Sequence, residues 1–224
     1  ENISPYSICA MTFTNKAANE MKERVISLIP DFSGDIMVRT FHSLCLFVLR
    51  SNWELLGFTS AFTIYDSSLQ ESLISEVVKS YQLDVKEYRP SAIASIISRA
   101  KDELLTPNEW FRTLDDMVNG KYYENVKKIF ERYEVFKEKQ NALDFGDLIF
   151  RTVKLFSENH ELLTRYNLRW RYIMVDEFQD TNKAQYLLAK QLAGPSKNLC
   201  VVGDDDQSIY SWRGADVRNI LEFE

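Results

Sequence analysis

The chain has 224 residues, 45% of them hydrophobic, with 5 Pro and 7 Gly, enough to bury a real core in one large or two small domains. Its formal net charge of −6 excludes a global basic field, so any contact with nucleic acid must be local. No apolar stretch is long enough to span a membrane as a helix and no signal peptide is read at the start; a cytoplasmic chain is the expectation.

Residues 6–13, YSICAMTF, read as a buried strand. Thr14 is placed to cap a helix whose apolar face is Ala17, Ala18, Met21, Val25 and Ile29. Residues 36–40, IMVRT, read as a second strand, and a helix from about Ser43 to Leu56 follows with Leu44, Phe47, Val48 and Leu55. Strand, helix, strand, helix predicts a parallel sheet with crossover helices.

The pattern changes from about Trp53 to Asn141. Phe62-Thr63-Ile64 is the one candidate strand, and helical periodicity takes over. Leu69, Leu73, Ile74, Val77, Val78 and Tyr81 form one stripe; Ile93, Ile96, Ile97 and Ala100 form another. Thr106-Pro107-Asn108-Glu109 has the capping residue, proline and glutamate of a helix start. A longer helix over Lys121–Lys139 turns Val126, Ile129, Phe130, Tyr133 and Phe136 inward. Its charge runs, Lys127-Lys128 and Lys137-Glu138-Lys139, read as solvated faces. Residues 53–140 are therefore expected to be an all-helical insertion.

The α/β pattern resumes near Asp144, which is placed to cap a helix over 144–156. Ile173, Met174 and Val175 then form an apolar run that reads as a buried parallel strand. Asp176 and Glu177 follow at its end, and Thr181 is placed to cap a helix over 182–193. Residues 198–203, NLCVVG, read as another buried strand before a polar loop, and a last helix starts near Val217. Cys9, Cys45 and Cys200 lie far apart in apolar surroundings and read as reduced core residues of a cytosolic protein. His42 and His160 are too few for a zinc site.

In open α/β sheets, ligands bind beyond the carboxyl ends of strands. Two adjacent carboxylates there suit magnesium-nucleotide chemistry, one holding the cation and one orienting or deprotonating a water. By themselves they fit an acidic helix N-terminus equally well. The Gln207 amide fits a phosphate contact or a solvent-facing loop. Tyr210, Trp212 and Arg213 place two rings and a guanidinium in a polar loop, suited to sequence-blind base stacking or to anchoring the loop. Phe13 fits core or stacking. Asn15, Thr40 and His42 are small polar groups at strand ends, able to bond phosphates; His42 alone fits a structural role as well.

VDEFQDT (175–181) and VGDDDQSIYSWRGAD (202–216) resemble motifs II and III of superfamily 1A DNA helicases of the UvrD/Rep/PcrA type. TFTNKAANEMKERV (12–25) is similar to their motif Ia, RTFHS (39–43) to motif Ib, and DFGDLI (144–149) to a further segment before motif II. Related helicase-nucleases usually carry Pro-Lys after the first Asp of motif III and Phe at the position of Trp212, so Asp205, Asp206 and Trp212 favour the UvrD-like branch. The resemblance implies a RecA-like parallel sheet of the P-loop NTPase type, motor domain 1A at residues 1–52 and 141–224, and helical subdomain 1B at 53–140. It implies ATP and Mg²⁺ as cofactors, with Asp176 on the metal, Glu177 as catalytic base and Gln207 sensing the γ-phosphate. It implies 3′-to-5′ translocation on single-stranded DNA and unwinding at duplex junctions in repair or replication, with Phe13, Asn15, Thr40, His42, Tyr210, Trp212 and Arg213 on the DNA.

The phosphate loop G-x-x-x-x-G-K-[ST] is absent: Gly34 precedes Asp35, and Gly120-Lys121 lacks the first glycine and the Ser/Thr. In the family it lies just upstream of motif Ia. With Glu1 rather than Met at the start, the chain reads as an excised fragment, expected not to hydrolyse ATP by itself. Two other readings remain open: a non-hydrolysing DNA-binding or interaction module on a helicase-like scaffold, and part of a helicase-nuclease.

Overall fold

The computed structural model describes residues 3–29, 36–114 and 120–207, with Ala215 and Asn219. The chain divides into two compact units, residues 1–51 with 151–224, and residues 52–150. The first opens with β1 (Ile8–Thr12), α1 (Asn15–Leu28), β2 (Met37–Thr40) and α2 (Phe41–Ser51). The second holds β3 (Thr63–Tyr65), α3 (Ser67–Ser80), α4 (Pro90–Asp102), α5 (Pro107–Arg112), α6 (Lys121–Lys139) and β4 (Ala142–Asp144). The boundary falls within α7 (Phe145–Glu158); α8 (His160–Arg169), β5 (Tyr172–Val175), α9 (Lys183–Ala193) and β6 (Leu199–Val201) return to the first unit.

The sheet of the first unit is parallel throughout, in the order β2-β1-β5-β6. Each strand therefore ends at the same edge, where a ligand site belongs. Cys9 and Met11 lie in register with Ile173 and Val175, so these four share one face, and all are buried. Burial pushes the Cys45 thiol up to about 12 and the Cys9 thiol higher still, so both stay protonated. On the other face α1 packs Ala18, Met21 and Val25 against Ala10, Ile36 and Val38. Met174 and Cys200 lie on this second face, in register with Ala10, and both are exposed. This corrects the expectation that both lie in the core. An apolar strand sequence says that a residue faces off the sheet, not that a helix covers it.

Other boundaries move for local reasons. The helix expected over 43–56 starts at Phe41 and stops at Ser51; residues Trp53–Leu56 form a 3₁₀ turn closed by Gly57 at φ +72°, and Leu55 is exposed. The cap of α9 is Asn182, not Thr181. Its side chain accepts from Gln185 N at 2.9 Å while Gln185 Oε1 accepts from Asn182 N at 2.9 Å. Thr181 instead donates its hydroxyl to Phe178 O at 2.7 Å.

In the second unit, Leu73, Ile74, Val77 and Val78 of α3, Ile93, Ile97 and Ala100 of α4 and Val126, Ile129, Phe130 and Tyr133 of α6 form one core. Each Leu, Ile, Val and Phe among them contributes roughly 1.5–3 kcal/mol by burial. Leu69 and Tyr81, at the ends of the α3 stripe, are exposed. The capping box of Thr106 and Glu109 starts α5. Two features differ from expectation. β4 is a strand, paired in parallel with β3, and Asp144 both ends it and caps α7: Asp147 N donates to Asp144 Oδ1, and Asp144 N to Asp147 Oδ2, each at 2.9 Å. Lys137, read as a solvated charge, is fully buried. Among the described residues, no helix is long and apolar enough to cross a membrane.

Candidate nucleotide and nucleic-acid site

Of the residues singled out from the sequence, those that are described lie at the carboxyl ends of β1, β2, β5 and β6 or in the turns that follow. β5 stops at Val175 because its partners hold the chain there: Asp176 N donates to Met11 O at 3.0 Å, and Val202 N to Val175 O at 2.8 Å. Glu177 then adopts a left-handed conformation, φ +52° and ψ +43°. For a residue other than glycine this costs about 1–2 kcal/mol, and such strain concentrates at functional sites. The turn is pinned on its far side by Phe178 N donating to Val202 O at 2.9 Å. Burial, and then the charge of Glu177, raise the Asp176 carboxyl above the usual carboxylate range; Asp180 is raised by the same two causes.

Gln179 binds this corner to the next strand. It is 1% exposed; its Nε2 donates to Glu177 Oε2 at 2.8 Å, and its Oε1 accepts from Asp204 N at 3.1 Å. Asp204 in turn accepts from Gln207 Nε2 at 2.6 Å and from Asp206 N at 3.1 Å. The loop after β6 thus brings exposed Gln207 into the same hydrogen-bonded group as Glu177. The sequence reading passed over Gln179, although a polar residue two places after a paired carboxylate at a strand end is a usable signal. Asn219 Nδ2 donates to Thr181 O at 2.9 Å.

At the β1 end, Phe13 is half-buried with its ring 5.5 Å from that of Phe41. Thr14 caps α1 through Ala17 N at 3.1 Å, and Asn15 is exposed on the first turn. At the β2 end Thr40 is buried and acts as the α2 cap, accepting from Ser43 N at 3.2 Å and donating its hydroxyl to Ser43 Oγ at 3.0 Å. Burial lowers the His42 imidazole to about 4, so it is neutral at pH 7. Tyr210, Trp212 and Arg213 lie outside the described residues.

One further carboxylate group has metal-like spacing: Glu134, Asp144 and Asp147 bring oxygens within 4.8 Å of one another in the second unit. Two ammonium groups already fill it. Lys101 Nζ lies 2.8 Å from Glu134, 2.6 Å from Asp144 and 2.8 Å from Asp147. Lys137 Nζ lies 2.8, 2.9 and 2.5 Å from the same three residues. This is an internal salt-bridge network, not a metal centre.

The UvrD/REP helicase N-terminal domain family matches residues 1–224. The chain belongs to this family. It is 47% identical over 225 residues to the ATP-dependent DNA helicase PcrA of Bacillus subtilis (strain 168), covering 100% of this chain and 30% of that protein. It is 46% identical over 224 residues to the PcrA proteins of Staphylococcus aureus (strain Mu50) and Staphylococcus epidermidis, with the same coverage. The chain therefore spans about 30% of the length of these curated relatives. Across the sheet, in the order β2-β1-β5-β6, the described residues at the strand ends fall in the segments 39–43, 12–25, 175–181 and 202–207.

Proposed function

We propose that the chain forms part of the first motor domain of an ATP-dependent DNA helicase, with the unit of residues 52–150 as helical subdomain 1B and the remainder as domain 1A. The observation that carries this reading is the pairing of Asp176-Glu177 with the Gln207 loop at adjoining ends of parallel strands, joined through Gln179.

Asp176 is assigned to a magnesium ion, held directly or through its water. When bound, such an ion neutralises charge on the nucleotide phosphates. Glu177 orients the attacking water and accepts its proton, and Gln179 holds that carboxylate in place. Gln207 reports the γ-phosphate, because its amide both donates and accepts. Phe13, Asn15, Thr40 and His42, with Tyr210, Trp212 and Arg213, are assigned to single-stranded DNA. Thr40 acts through the α2 cap it forms, and His42 as a neutral hydrogen-bonding group. Translocation in the 3′-to-5′ direction, action at duplex junctions and a cytoplasmic location complete the proposal.

The test is phosphate release by a protein of the relatives' full length. Glu177→Gln should keep nucleotide binding and lose DNA-stimulated hydrolysis by on the order of 10²–10⁴-fold. Unchanged hydrolysis in that variant would reject the role of Glu177, and absence of hydrolysis in the parent would favour a non-hydrolysing module.

A further inference from the structure

α2 and the end of α8 meet at Phe47, whose ring lies 6.4 Å from that of buried Trp170. Two guanidiniums share the Phe47 ring. Arg39 of β2 lies 5.5 Å from its centroid and Arg169 of α8 lies 5.7 Å from it, with Arg169 also 5.6 Å from the Trp170 ring. At these distances each ring attracts the cation over it. Arg39 engages one of its five donors, Nε, with Met37 Sδ at 3.2 Å. Among the described residues, neither arginine is paired with a carboxylate. The dipole of α8 accounts for a cation in its last turn, at Arg169, but not for a second one beside the same ring. α8 extends the feature. Arg165, Leu168 and Arg169 follow at i, i+3 and i+4, so they stand on one helix face. All three are exposed, Leu168 to 72%. Among the described residues, neither Arg165 nor Glu161, one turn before it, is in an ion pair.

We infer that this face of α8, with Phe47 and Arg39 beside it, is a docking surface for an acidic segment of a partner protein, one whose carboxylates flank an apolar side chain. The inference does not rest on the nucleotide or DNA assignments above. Charge and shape select the occupant. A guanidinium fork matches a carboxylate through two parallel hydrogen bonds. Leu168 stands between Arg165 and Arg169 on the same face and offers an apolar contact, which a sugar-phosphate backbone does not complement. Base stacking needs an open ring, and Phe47 already has two guanidiniums beside it. The surface also lies off the strand ends: Phe47 is six residues past Phe41, about 9 Å along α2 at the helical rise. Arginines held against rings have less freedom to lose on binding, and arginine is enriched at the energetic centres of protein interfaces. In a chain of net charge −6, such a local group of cations gives an acidic partner one place to dock.

The test is a titration of the ¹⁵N-labelled chain with a peptide of Glu and Leu at helical spacing, followed by amide and arginine Nε shifts. The control is the same peptide with Gln for Glu. The expected result is a set of shifts at Arg39, Phe47, Arg165, Leu168 and Arg169 that saturate together and are absent with the control peptide. Loss of one exposed ion pair weakens binding by about two- to fivefold, so Arg165→Gln and Arg169→Gln should each show that loss, and the double variant more than either. Arg112→Gln removes one exposed cation from the other unit and should bind as the parent does. Both α8 positions are exposed, so their variants carry the test even where Arg39→Gln disturbs β2. No shift at these residues with the acidic peptide, or equal shifts with its Gln version, would overturn the inference. So would an equal loss in Arg112→Gln, which would show a general charge effect rather than a surface. An oligothymidylate that saturates the same shifts at lower concentration would also overturn it, since the occupant would then be nucleic acid.

Discussion

Lys137→Met should unfold the helical unit at a much lower temperature than the parent. In the parent, two ammonium groups face three carboxylates, all at most 2% exposed except Glu134 at 19%. Burial alone would lower the Lys101 pKa, yet Asp144, Asp147 and Glu134 hold it well above the usual lysine value. Burial alone would raise Asp144, yet Lys101 and Lys137 hold it far below the usual carboxylate range, and Tyr133 donates to it at 2.8 Å. Methionine fills the volume of Lys137 but leaves one cation for three carboxylates. Removing one partner of a buried ion pair costs about 3–5 kcal/mol, mostly the penalty of the charge left behind. For a chain of this size that is about 6–20 °C in Tm, and about 12–40 °C where the helical unit melts alone.

The pH dependence supplies the sharper test. The depressed Asp144 gives the parent stability that is complete above the unfolded carboxylate pKa of about 3.9 and lost only as pH falls through the lower folded value. In Lys137→Met a surplus carboxylate must bind a proton more tightly folded than unfolded, so the sign reverses. The deficit should shrink between pH 7 and pH 5, and Lys137→Met with Asp147→Asn should recover at least half of it. Thermal and urea melts by circular dichroism at the two pH values decide the matter. A loss under about 1 kcal/mol, or a deficit equal at both pH values, would refute the network as a stability determinant.

The chain should bind single-stranded DNA weakly, with dissociation constants on the order of 100 μM or above at physiological salt: a few stacking contacts at about 1–3 kcal/mol each fall short of the roughly 8 kcal/mol that micromolar binding needs. Tryptophan fluorescence quenched by poly-dT should lose its response in Trp212→Ala, since Trp53, Trp110 and Trp170 lie outside the proposed DNA loop; quenching that persists would misplace the DNA site. Gln179→Met removes both of its hydrogen bonds, so amide exchange at Asp204 should accelerate about tenfold, equivalent to a bond of about 1.4 kcal/mol. Gln179→Glu keeps an acceptor for that amide and should protect it, and equal exchange in both variants would show that Gln179 does not hold the loop.

What the sequence made legible was local and periodic. The stripes of α3, α4 and α6, the Thr106 capping box and the strand before Asp176 each rest on residues within one helix, one turn or one strand. What it hid depends on distant partners. Ala142-Leu143-Asp144 is too short to show a period, and it is a strand because Thr63-Ile64-Tyr65 lies beside it. α8 buries Leu162 and Tyr166 at helical spacing, a stripe of two residues that is too short to stand out in the sequence. Lys137 sits in a run of charges at the end of α6, where its neighbours Glu138 and Lys139 are exposed. Nothing in that run marks its first lysine as the partner of Asp144 and Asp147.

The strand end at Asp176 shows how the two kinds of information combine at the site. Successive residues of an extended strand point to opposite sides, so two adjacent carboxylates cannot both serve one ligand while the strand continues. The left-handed turn at Glu177 changes that direction, at a conformational cost the surrounding contacts must meet. Those contacts come from β1 through Met11 O and from the β6 strand end through Val202. Gln179 then uses one end of its amide on Glu177 and the other on Asp204, while Asp204 uses its carboxylate on Gln207. A displacement of Asp204 therefore strains both contacts at once. The two glutamines sit 28 positions apart in sequence, at 179 and 207, yet share Asp204 as their common partner. In this geometry the group assigned to the attacking water and the group assigned to the γ-phosphate cannot shift independently without breaking a named hydrogen bond.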